Sequence, residues 1–419
     1  MNNIPIIDTL CETPLFMLDI GISYLTNLYA KSIYKNSYMP TTIDEIIRLV
    51  KYAKKNNMKI TVISGGHSSI AMRAFPYIKK ENLLVIDMQK FTGIKLHNKI
   101  LVINSGTKVK DIKEFNKTLT NYFCLHGGCD TVGMGFWLNG MSGISGIPST
   151  FFQVGSGSEH IKKITFVDSD GVYRSVVNND DQFNALSMVA GEFGVVTSIE
   201  VALEKGKLNT NNFLININTN KLIDLLLKIQ NNIDYEGNLT FVILVDNCVI
   251  ISHSSTENLD YMYSYRLMTE TFRLEVNPIT NYIFNLLISN LDNVEVGDVY
   301  NFTTDSEADF IIDLDDNLTE ITKHYDIFYI MISNPKYKTK FNNKIMIGLR
   351  YNKENHKQLK NLIDTYYPEN VKYLNCPLYG EPISNYISEF SPLSYSKLLK
   401  MKNKMDPTNL FITRYNAFN

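Results

Sequence analysis

At 419 residues the chain is longer than a single hydrophobic core usually supports, so the sequence predicts two domains. Hydrophobic residues make up 44% and charged residues 20% of the chain, which is the ordinary balance of a globular protein. The formal net charge of -2 at pH 7 excludes a bulk positive field, so we expect neither nucleic acid nor an anionic membrane surface as a partner.

The sequence predicts neither a targeting segment nor a membrane span. No stretch reaches the roughly 18 apolar residues that a span requires, and residues 1–30 lack a basic start and contain Asp8, Glu12 and Asp19. The cysteines are scattered and odd in number, at 5, which argues against a disulfide framework. The compartment is left open, with a slight preference for the cytoplasm, and no metal site is predicted.

The first half of the chain alternates helix and strand patterns. Thr42–Glu45 is a capping-box sequence followed by apolar residues at helical spacing, so a helix is predicted to begin there. A second helix is predicted over Lys108–Thr118. Short β-branched and apolar runs predict the strands, which are Ile60–Ile63, Leu83–Ile86, Ile100–Ile103, Ile161–Val167 and Gly194–Val201.

Glycine is concentrated in two loops. Nine of the 22 glycines fall between Gly127 and Gly157, a density that favours close backbone approach over regular structure. A second glycine loop, Ser64–Ser69, follows the predicted strand Ile60–Ile63. Because a dinucleotide needs backbone N–H groups around its diphosphate, these loops predict two walls of one cofactor site.

The glycine pattern differs from that of the common nucleotide folds. Gly133-Met134-Gly135 has no third glycine at the Rossmann spacing and opens no obvious helix, and the chain contains no Gly-Lys-Ser/Thr phosphate loop. His67 and Cys129 each follow a Gly-Gly pair. From the residues alone, His67 could be a loop histidine bonded to backbone and Cys129 a buried thiol, so their roles stay open.

From about Gly206 the composition of the chain changes, because glycine becomes sparse and longer apolar elements appear. Thr240–Val245 and Cys248–Ser252 flank Asp246-Asn247, which predicts a hairpin, and Lys344–Tyr351 predicts a further strand. These patterns predict a mixed α+β domain with a mainly antiparallel sheet.

The C-terminal region predicts one helix. It is expected around Ser394–Asn403 and is stopped by Asp406-Pro407. The lysine-rich stretch Lys397–Lys404 on this helix is interpreted as a solvated face.

Three motifs occur in the order in which one flavoprotein family has them. Ile63–Ser68 resembles a flavin diphosphate loop, Gly127–Gly135 resembles a second flavin loop, and Leu398–Phe411 resembles a closing motif. On these motifs the chain is identified as a member of the berberine-bridge-enzyme-like FAD-linked oxidases, in the vanillyl-alcohol oxidase superfamily with a PCMH-type FAD-binding domain. The resemblance covers roughly residues 36–203 and 373–418 and is poor between them.

The resemblance implies FAD that is bound covalently. His67 matches the residue bonded to the flavin 8α-methyl, and Cys129 matches the residue whose sulfur bonds flavin C6. Val132 matches a gate at the flavin edge, where valine accompanies oxidases and a bulkier residue dehydrogenases; its alternative is a packing valine. The predicted cofactor-binding residues are His67, Cys129, Ser64, Gly65, Gly66, Ser68, Thr131, Val132, Gly133, Gly135, Gly140, Gly143, Ile161, Val196 and Asn385.

The catalytic base is left open by the resemblance. Ile383 stands where the family often has a catalytic tyrosine, and the family's catalytic glutamate finds no counterpart in the poorly matching middle. Glu381 and Tyr386 are the predicted catalytic candidates, with Tyr379 and Glu389 beside them. Each of these four could instead be a surface or core residue.

The sequence thus predicts an α+β fold in two parts. A PCMH-type FAD-binding domain is expected over residues 1–205, a substrate domain over 206–372, and a C-terminal segment, 373–419, that returns to the FAD domain. The expected reaction transfers hydride from an alcohol or amine carbon of a small organic substrate, a carbohydrate or aromatic alcohol, to FAD, with dioxygen as acceptor and hydrogen peroxide as product. The alternatives are a dehydrogenase with another acceptor, and a flavin-binding interaction protein without turnover.

Overall fold

The fold is built on three sheets and a short ribbon. The computed structural model describes residues 36–65, 82–126, 132–135, 160–178, 180–230, 237–245, 248–255, 261–279, 305–333, 344–372, 378 and 393–413. Their strands form a three-stranded, a five-stranded and an eight-stranded sheet and a two-stranded ribbon. Among these residues, no helix has both the length and the apolar character needed to cross a membrane.

The first sheet is parallel and has the order β1-β3-β2. Its elements in chain order are β1 (Asn36–Tyr38), α1 (Ile43–Lys55), β2 (Lys59–Ile63) and β3 (Leu83–Asp87). The predicted capping box is confirmed, since Glu45 donates its amide to the Thr42 hydroxyl and its carboxylate accepts the Thr42 amide. Ile46 and Val50 of α1 are fully buried against this sheet.

The second sheet has five antiparallel strands in the order β4-β5-β9-β7-β8. Its strands are β4 (Ile94–His97), β5 (Ile100–Asn104), β7 (Ile161–Val167), β8 (Tyr173–Val177) and β9 (Val195–Ala202), and its helices are α2 (Val109–Asn116) and α3 (Asp181–Val189). The ribbon pairs β6 (Tyr122–Phe123) with β10 (Glu204–Lys205). The strands predicted in this half are confirmed, with ends that differ by one residue at most.

The third sheet has eight strands, all antiparallel, in the order β14-β11-β13-β12-β16-β17-β15-β18. They are β11 (Asn209–Asn216), β12 (Asn238–Val245), β13 (Cys248–Ser255), β14 (Val276–Ile279), β15 (Asp305–Asp313), β16 (Asp326–Ser333), β17 (Lys344–Asn352) and β18 (Val371–Lys372). The mainly antiparallel sheet predicted for this half is confirmed. Strands β12 and β13 pair up to Val245 and Cys248, while the predicted turn residues Asp246 and Asn247 lie outside the described residues.

Helices cover one face of the eight-stranded sheet. They are α4 (Thr219–Gln230), α5 (Tyr261–Arg266), α6 (Leu318–Thr322) and α7 (His356–Tyr366). Leu226, Ile321 and Leu359 from these helices pack in one cluster with Phe213 and Ile251 of the sheet, and all five are fully buried. This face therefore supplies the main apolar core of the second half.

The C-terminal helix α8 (Tyr395–Met405) carries the one sequence interpretation that the structure overturns. Lys397, Lys400 and Lys404 are exposed, as a solvated face requires, but Lys402 is only 2% exposed. The Lys402 Nζ donates to the Asp406 carboxylate at 2.9 Å and to the Phe411 carbonyl at 2.7 Å. It also donates to the carbonyl of Glu192, in the turn that follows α3, at 2.5 Å. A lysine on an otherwise solvated helix is here the centre of a buried polar cluster.

Beyond α8 the chain runs alongside β2. Ile60 donates its amide to the Leu410 carbonyl at 2.7 Å and accepts the Ile412 amide at 2.9 Å, which makes a parallel bridge. The Asp406 carboxylate accepts the amides of Leu410 and Phe411, each at 2.8 Å. The tail therefore adds to the free edge of the parallel sheet, while the domain boundaries predicted from the sequence remain predictions.

Replacing Lys402 should destabilise the protein strongly. Lys402→Met keeps most of the side-chain length but leaves the carboxylates of Glu192 and Asp406, which are 1% and 2% exposed, without their buried cation. We expect a loss of about 3–5 kcal/mol in the free energy of unfolding, measured in urea. Lys400→Met, on the exposed side of the same helix, should change it by less than about 0.5 kcal/mol. Equal effects of the two substitutions would contradict this account.

Candidate functional site

The predicted diphosphate loop begins at the carboxyl edge of the parallel sheet. Strand β2 ends at Ile63, which pairs with Asp87 at the end of β3, and Ser64 and Gly65 follow directly. Gly65 is buried and Ser64 is half-buried. Ligands of open sheets with parallel strands bind at this edge, so the loop starts where a nucleotide is expected.

The second glycine loop is fixed to the turn that precedes α2. Lys108 and Gly133 form an antiparallel bridge. Val109 donates its amide to the Val132 carbonyl at 2.9 Å, and Met134 donates its amide to the Thr107 carbonyl at 3.0 Å. Val132 and Met134 are therefore held by backbone hydrogen bonds to this turn.

The two loops touch at the Ser64 hydroxyl and at the backbone of Gly65. The Gly135 amide donates to the Ser64 hydroxyl at 2.8 Å, and that hydroxyl donates to the Ser105 carbonyl at 2.6 Å. A Cβ placed on Gly133 would lie 2.1 Å from the Gly65 nitrogen and 2.5 Å from its Cα, so only glycine fits there. Two loops that approach this closely through Gly65, Gly133 and Gly135 match what a diphosphate cofactor such as FAD requires of its binding site, because backbone N–H groups can then come near the diphosphate.

One cation lies beside this contact. The half-buried Lys108 donates from Nζ to the Gln89 side-chain oxygen at 3.3 Å, and Gln89 in turn bonds the Asp87 carboxylate. Burial lowers the pKa of Lys108, with a further lowering from Lys110, while Asp111 and Asp87 act in the opposite direction. A partly desolvated ammonium group near the loops favours an anionic ligand.

The structure brings five of the predicted cofactor residues together. They are Ser64, Gly65, Val132, Gly133 and Gly135. The Val132 residue is 4% exposed, so its side chain is packed. Their role in binding the cofactor stays a prediction, since their proximity alone does not assign it.

Two further predicted residues lie apart from each other. Ile161 begins β7 opposite Val201, whereas Val196 lies opposite Phe166, toward the other end of the same strand pair. Both are buried in the apolar core of the five-stranded sheet. They share one apolar core but lie toward opposite ends of this strand pair.

The remaining predicted residues fall outside the described part of the chain. The cofactor candidates there are Gly66, His67, Ser68, Cys129, Thr131, Gly140, Gly143 and Asn385. The catalytic candidates Glu381 and Tyr386, with Tyr379, Ile383 and Glu389, lie there too. Their assignments stay predictions.

Cys124, five residues before Cys129, is a free and fully buried thiol. Its Sγ lies 3.5 Å from the Leu125 carbonyl oxygen, and burial raises the pKa of the Cys124 thiol far above its usual range. Cys124 therefore stays protonated and has the role that an isolated cysteine usually has, namely packing.

The turn Ser105–Thr107 is a part of the site that the sequence analysis missed. Its middle residue leaves no room for a side chain, because a Cβ on Gly106 would lie 1.9 Å from the Met88 carbonyl oxygen. The Thr107 hydroxyl bonds both the amide and the carbonyl of Gly93, at 3.1 and 3.2 Å. In the sequence, a glycine between two hydroxyl residues follows the predicted strand Ile100–Ile103, and this pattern could have indicated a tight turn.

The second face of the eight-stranded sheet carries buried polar side chains. Phe213, Ile251 and Ile330 point to the face that the helices cover. Because side chains alternate between the two faces along a strand, the residues next to them in sequence point to the second face. They include the cross-strand pair Asn212 and Ser252, which are 2% and 0% exposed, and the half-buried Tyr329. The Ser252 hydroxyl has no hydrogen-bond partner within the described residues.

A family model matches the first part of the chain. Residues 37–176 match the family described as FAD binding domain. This stretch includes both glycine loops and the turn between them, so the contact described above lies inside the matched residues.

One curated relative matches part of the chain. The FAD-linked oxidoreductase dpmaF of Metarhizium anisopliae is 28% identical over 161 residues, which are 38% of this chain and 30% of that protein. The match therefore spans under a third of the curated relative's length.

Solved structures match nearly the whole chain in fold. Phl p 4, a grass pollen allergen with glucose dehydrogenase activity, is 14% identical with a TM-score of 0.69 over 93% of this chain and 94% of its own. Its variant with valine in place of one isoleucine, a glucose oxidase, has 14% identity and a TM-score of 0.67 over 92% and 93%. Berberine bridge enzyme from Eschscholzia californica has 13% identity and a TM-score of 0.65 over 92% and 90%. The fold expected from the sequence is confirmed.

Placing a side chain between the loops should prevent flavin binding. In Gly133→Ala the new Cβ meets backbone atoms of Gly65, which cannot turn aside as a side chain can, so the loops must separate. We expect flavin retention to fall by about tenfold or more, measured as flavin absorbance per purified protein. Gly191→Ala is the matched control, because its Cβ meets only the Thr413 methyl, at 2.9 Å. Full flavin content in Gly133→Ala would contradict the proposed site.

Proposed function

We propose that the protein is an FAD-dependent oxidase that takes hydride from an alcohol or amine carbon of a small organic substrate and passes the electrons to dioxygen. The observation that carries this proposal is the close contact of Ser64-Gly65 with Gly133–Gly135, inside the residues that match a FAD-binding domain. The fold shared with oxidases and dehydrogenases that act on small molecules supports it.

Bound FAD would supply the hydride acceptor and the electrons for dioxygen. The protein itself would bind the cofactor and orient it against the substrate. Gly65 and Gly133 keep the two loops free of side chains, which lets backbone amides face a diphosphate at short range. The Lys108 ammonium group adds positive charge at the same edge of the sheet. These contacts would fix the cofactor's phosphate end.

Two covalent tethers would fix the flavin ring. The proposed attachment residues are His67, two residues beyond Gly65, and Cys129, three residues before Val132. A ring held by two bonds does not need protein over both faces, which leaves room for a wide substrate cleft.

The substrate would meet the second face of the eight-stranded sheet, where Asn212, Ser252 and Tyr329 place an amide and two hydroxyls. The Ser252 hydroxyl is buried and has no hydrogen-bond partner among the described residues, and burial makes an unmatched polar group costly. Such groups pair well with a substrate that carries hydroxyls, and this favours a carbohydrate or an aromatic alcohol. Glu381 and Tyr386 remain the proposed candidates for the base that takes the hydroxyl or amine proton.

Dioxygen as the acceptor is supported by Val132. The Phl p 4 comparison links one aliphatic exchange to the choice of acceptor, since wild-type Phl p 4 is a glucose dehydrogenase and its isoleucine-to-valine variant is a glucose oxidase. By the motif resemblance, Val132 occupies the corresponding gate. The same pair of proteins makes a dehydrogenase the second candidate, because the two activities occur on one fold.

Covalent attachment predicts a colour that stays with the denatured protein. After acid precipitation the pellet should remain yellow, and tryptic peptides containing His67 and Cys129 should be joined through the flavin mass. Cys129→Ala should retain flavin through His67 with a shifted absorption spectrum. Flavin released wholly into the supernatant would refute both attachments, and identical wild-type and Cys129→Ala spectra would refute the second.

The oxidase proposal predicts that a slightly larger residue at position 132 separates the two half-reactions. A panel of sugars and aromatic alcohols, assayed for peroxide, first identifies a substrate. Val132→Leu should then slow reoxidation of the reduced flavin in air by about tenfold or more, because a packed contact that gains a methylene closes small gaps. Anaerobic reduction by substrate should be nearly unchanged in stopped flow. Slow reoxidation of the wild type would favour the dehydrogenase.

A further inference from the structure

Ser64 joins the two glycine loops with one hydroxyl. Its Oγ donates to the Ser105 carbonyl at 2.6 Å and accepts the Gly135 amide at 2.8 Å. We infer that Ser64 is a positioning residue that aligns the two flavin attachment loops with each other, and that its hydroxyl does not bind the diphosphate. This inference rests on the proposed function and assigns a task within it.

The hydrogen-bonding capacity of a hydroxyl supports this assignment. A serine hydroxyl has one proton to donate and two lone pairs to accept with. In Ser64 the proton is used by the Ser105 carbonyl, and one lone pair by the Gly135 amide. An anionic phosphate oxygen needs a donor, so Ser64 would have to give up its Ser105 bond to serve one.

The position of Ser64 lets one side chain connect three parts of the domain. Ser64 itself directly follows β2 of the parallel sheet. Ser105 is held to the five-stranded sheet, because its amide donates to the Thr197 carbonyl at 2.9 Å. Gly135 belongs to the second glycine loop, and a Cβ on it would lie 2.7 Å from the Ser64 Cβ, so the contact is too close for any intervening group.

The sequence places an attachment residue close to each end of this connection. Ser64 precedes His67 by three residues, and Gly135 follows Cys129 by six. Two bonds to one rigid ring form together only if both attachment residues are correctly placed at the same time. Loss of the Ser64 hydroxyl should therefore reduce double attachment more than total flavin binding. A phosphate ligand would behave differently, since its loss lowers total binding and leaves the proportion of double attachment unchanged.

The test compares three variants of the full-length protein. Ser64→Ala removes the connection and Ser64→Thr keeps the hydroxyl. Ser105→Ala is the matched control, because it lies in the same buried turn, keeps the accepting carbonyl and loses only a hydroxyl that has no hydrogen-bond partner among the described residues. Peptide mass spectrometry gives the ratio of doubly to singly attached flavin, and hydrogen exchange reports on the Gly135 amide.

The positioning role predicts a specific pattern. In Ser64→Ala the Gly135 amide should exchange about fivefold faster or more, as expected when one hydrogen bond is lost, and the ratio of doubly to singly attached flavin should fall by about the same factor. Ser64→Thr and Ser105→Ala should keep wild-type values of both. If Ser64→Ala does not fold, the same two measurements are made on Ser64→Cys, whose thiol is a weaker hydrogen-bonding group in the same place.

Other results would overturn the inference. Unchanged exchange at Gly135 in Ser64→Ala would show that the connection does not hold the second loop. A fall in total flavin with an unchanged attachment ratio would show that Ser64 acts as a phosphate ligand. If the wild type carries no bond to Cys129, the proposed second attachment fails, and exchange at Gly135 together with total flavin content decides the role of Ser64 by itself.

Discussion

The structure depends on a buried ammonium group at Lys402. Removing a charged amine from water costs several kcal/mol, which only close and numerous partners offset. Lys402 meets this condition with the Asp406 carboxylate and two backbone carbonyls within 2.9 Å, and with the Glu192 carboxylate at 3.6 Å. The carboxylates are satisfied in turn, because Asp406 accepts two amides and Glu192 accepts the amide of Thr413.

This cluster fixes, through the backbone, the strand that leads into the first glycine loop. By fixing residues 406–413 it presents Leu410 and Ile412 to Ile60, so β2 has a neighbour on each side, β3 and the tail. A strand bonded on both edges cannot slip its register without breaking its pairing with β3 and its bridge to the tail. The point where Ser64 leaves β2 is thereby set by residues more than 300 positions away, since Ile60 and Phe411 are bridge partners.

Local patterns predicted local structure well. The Thr42–Glu45 capping box and the runs that became β2, β3, β5, β7 and β9 were recognisable because their spacing matches one secondary-structure period. The glycine loops were recognisable from composition, and their proximity agrees with the prediction of one site. The burial of Lys402 was not recognisable from local sequence, because it depends on tertiary partners. One is Glu192, which lies 210 residues away in sequence, and another is Phe411 in the tail. The same limit hid the Ser105–Thr107 turn, whose importance comes from contacts and not from spacing.

The pairing of the C-terminal tail with β2 has a consequence for folding during biosynthesis. Residues 410–412 follow the entire eight-stranded sheet along the chain, yet they border the strand that leads into the cofactor loop. During translation the N-terminal sheet emerges first and must wait, with one edge of β2 unpaired, until the ribosome has released α8 and the tail behind it. This edge of β2 can therefore be paired only after residues 410–412 have been synthesised. A nascent chain that stalls within the second half exposes an unpaired strand edge to aggregation or to chaperones.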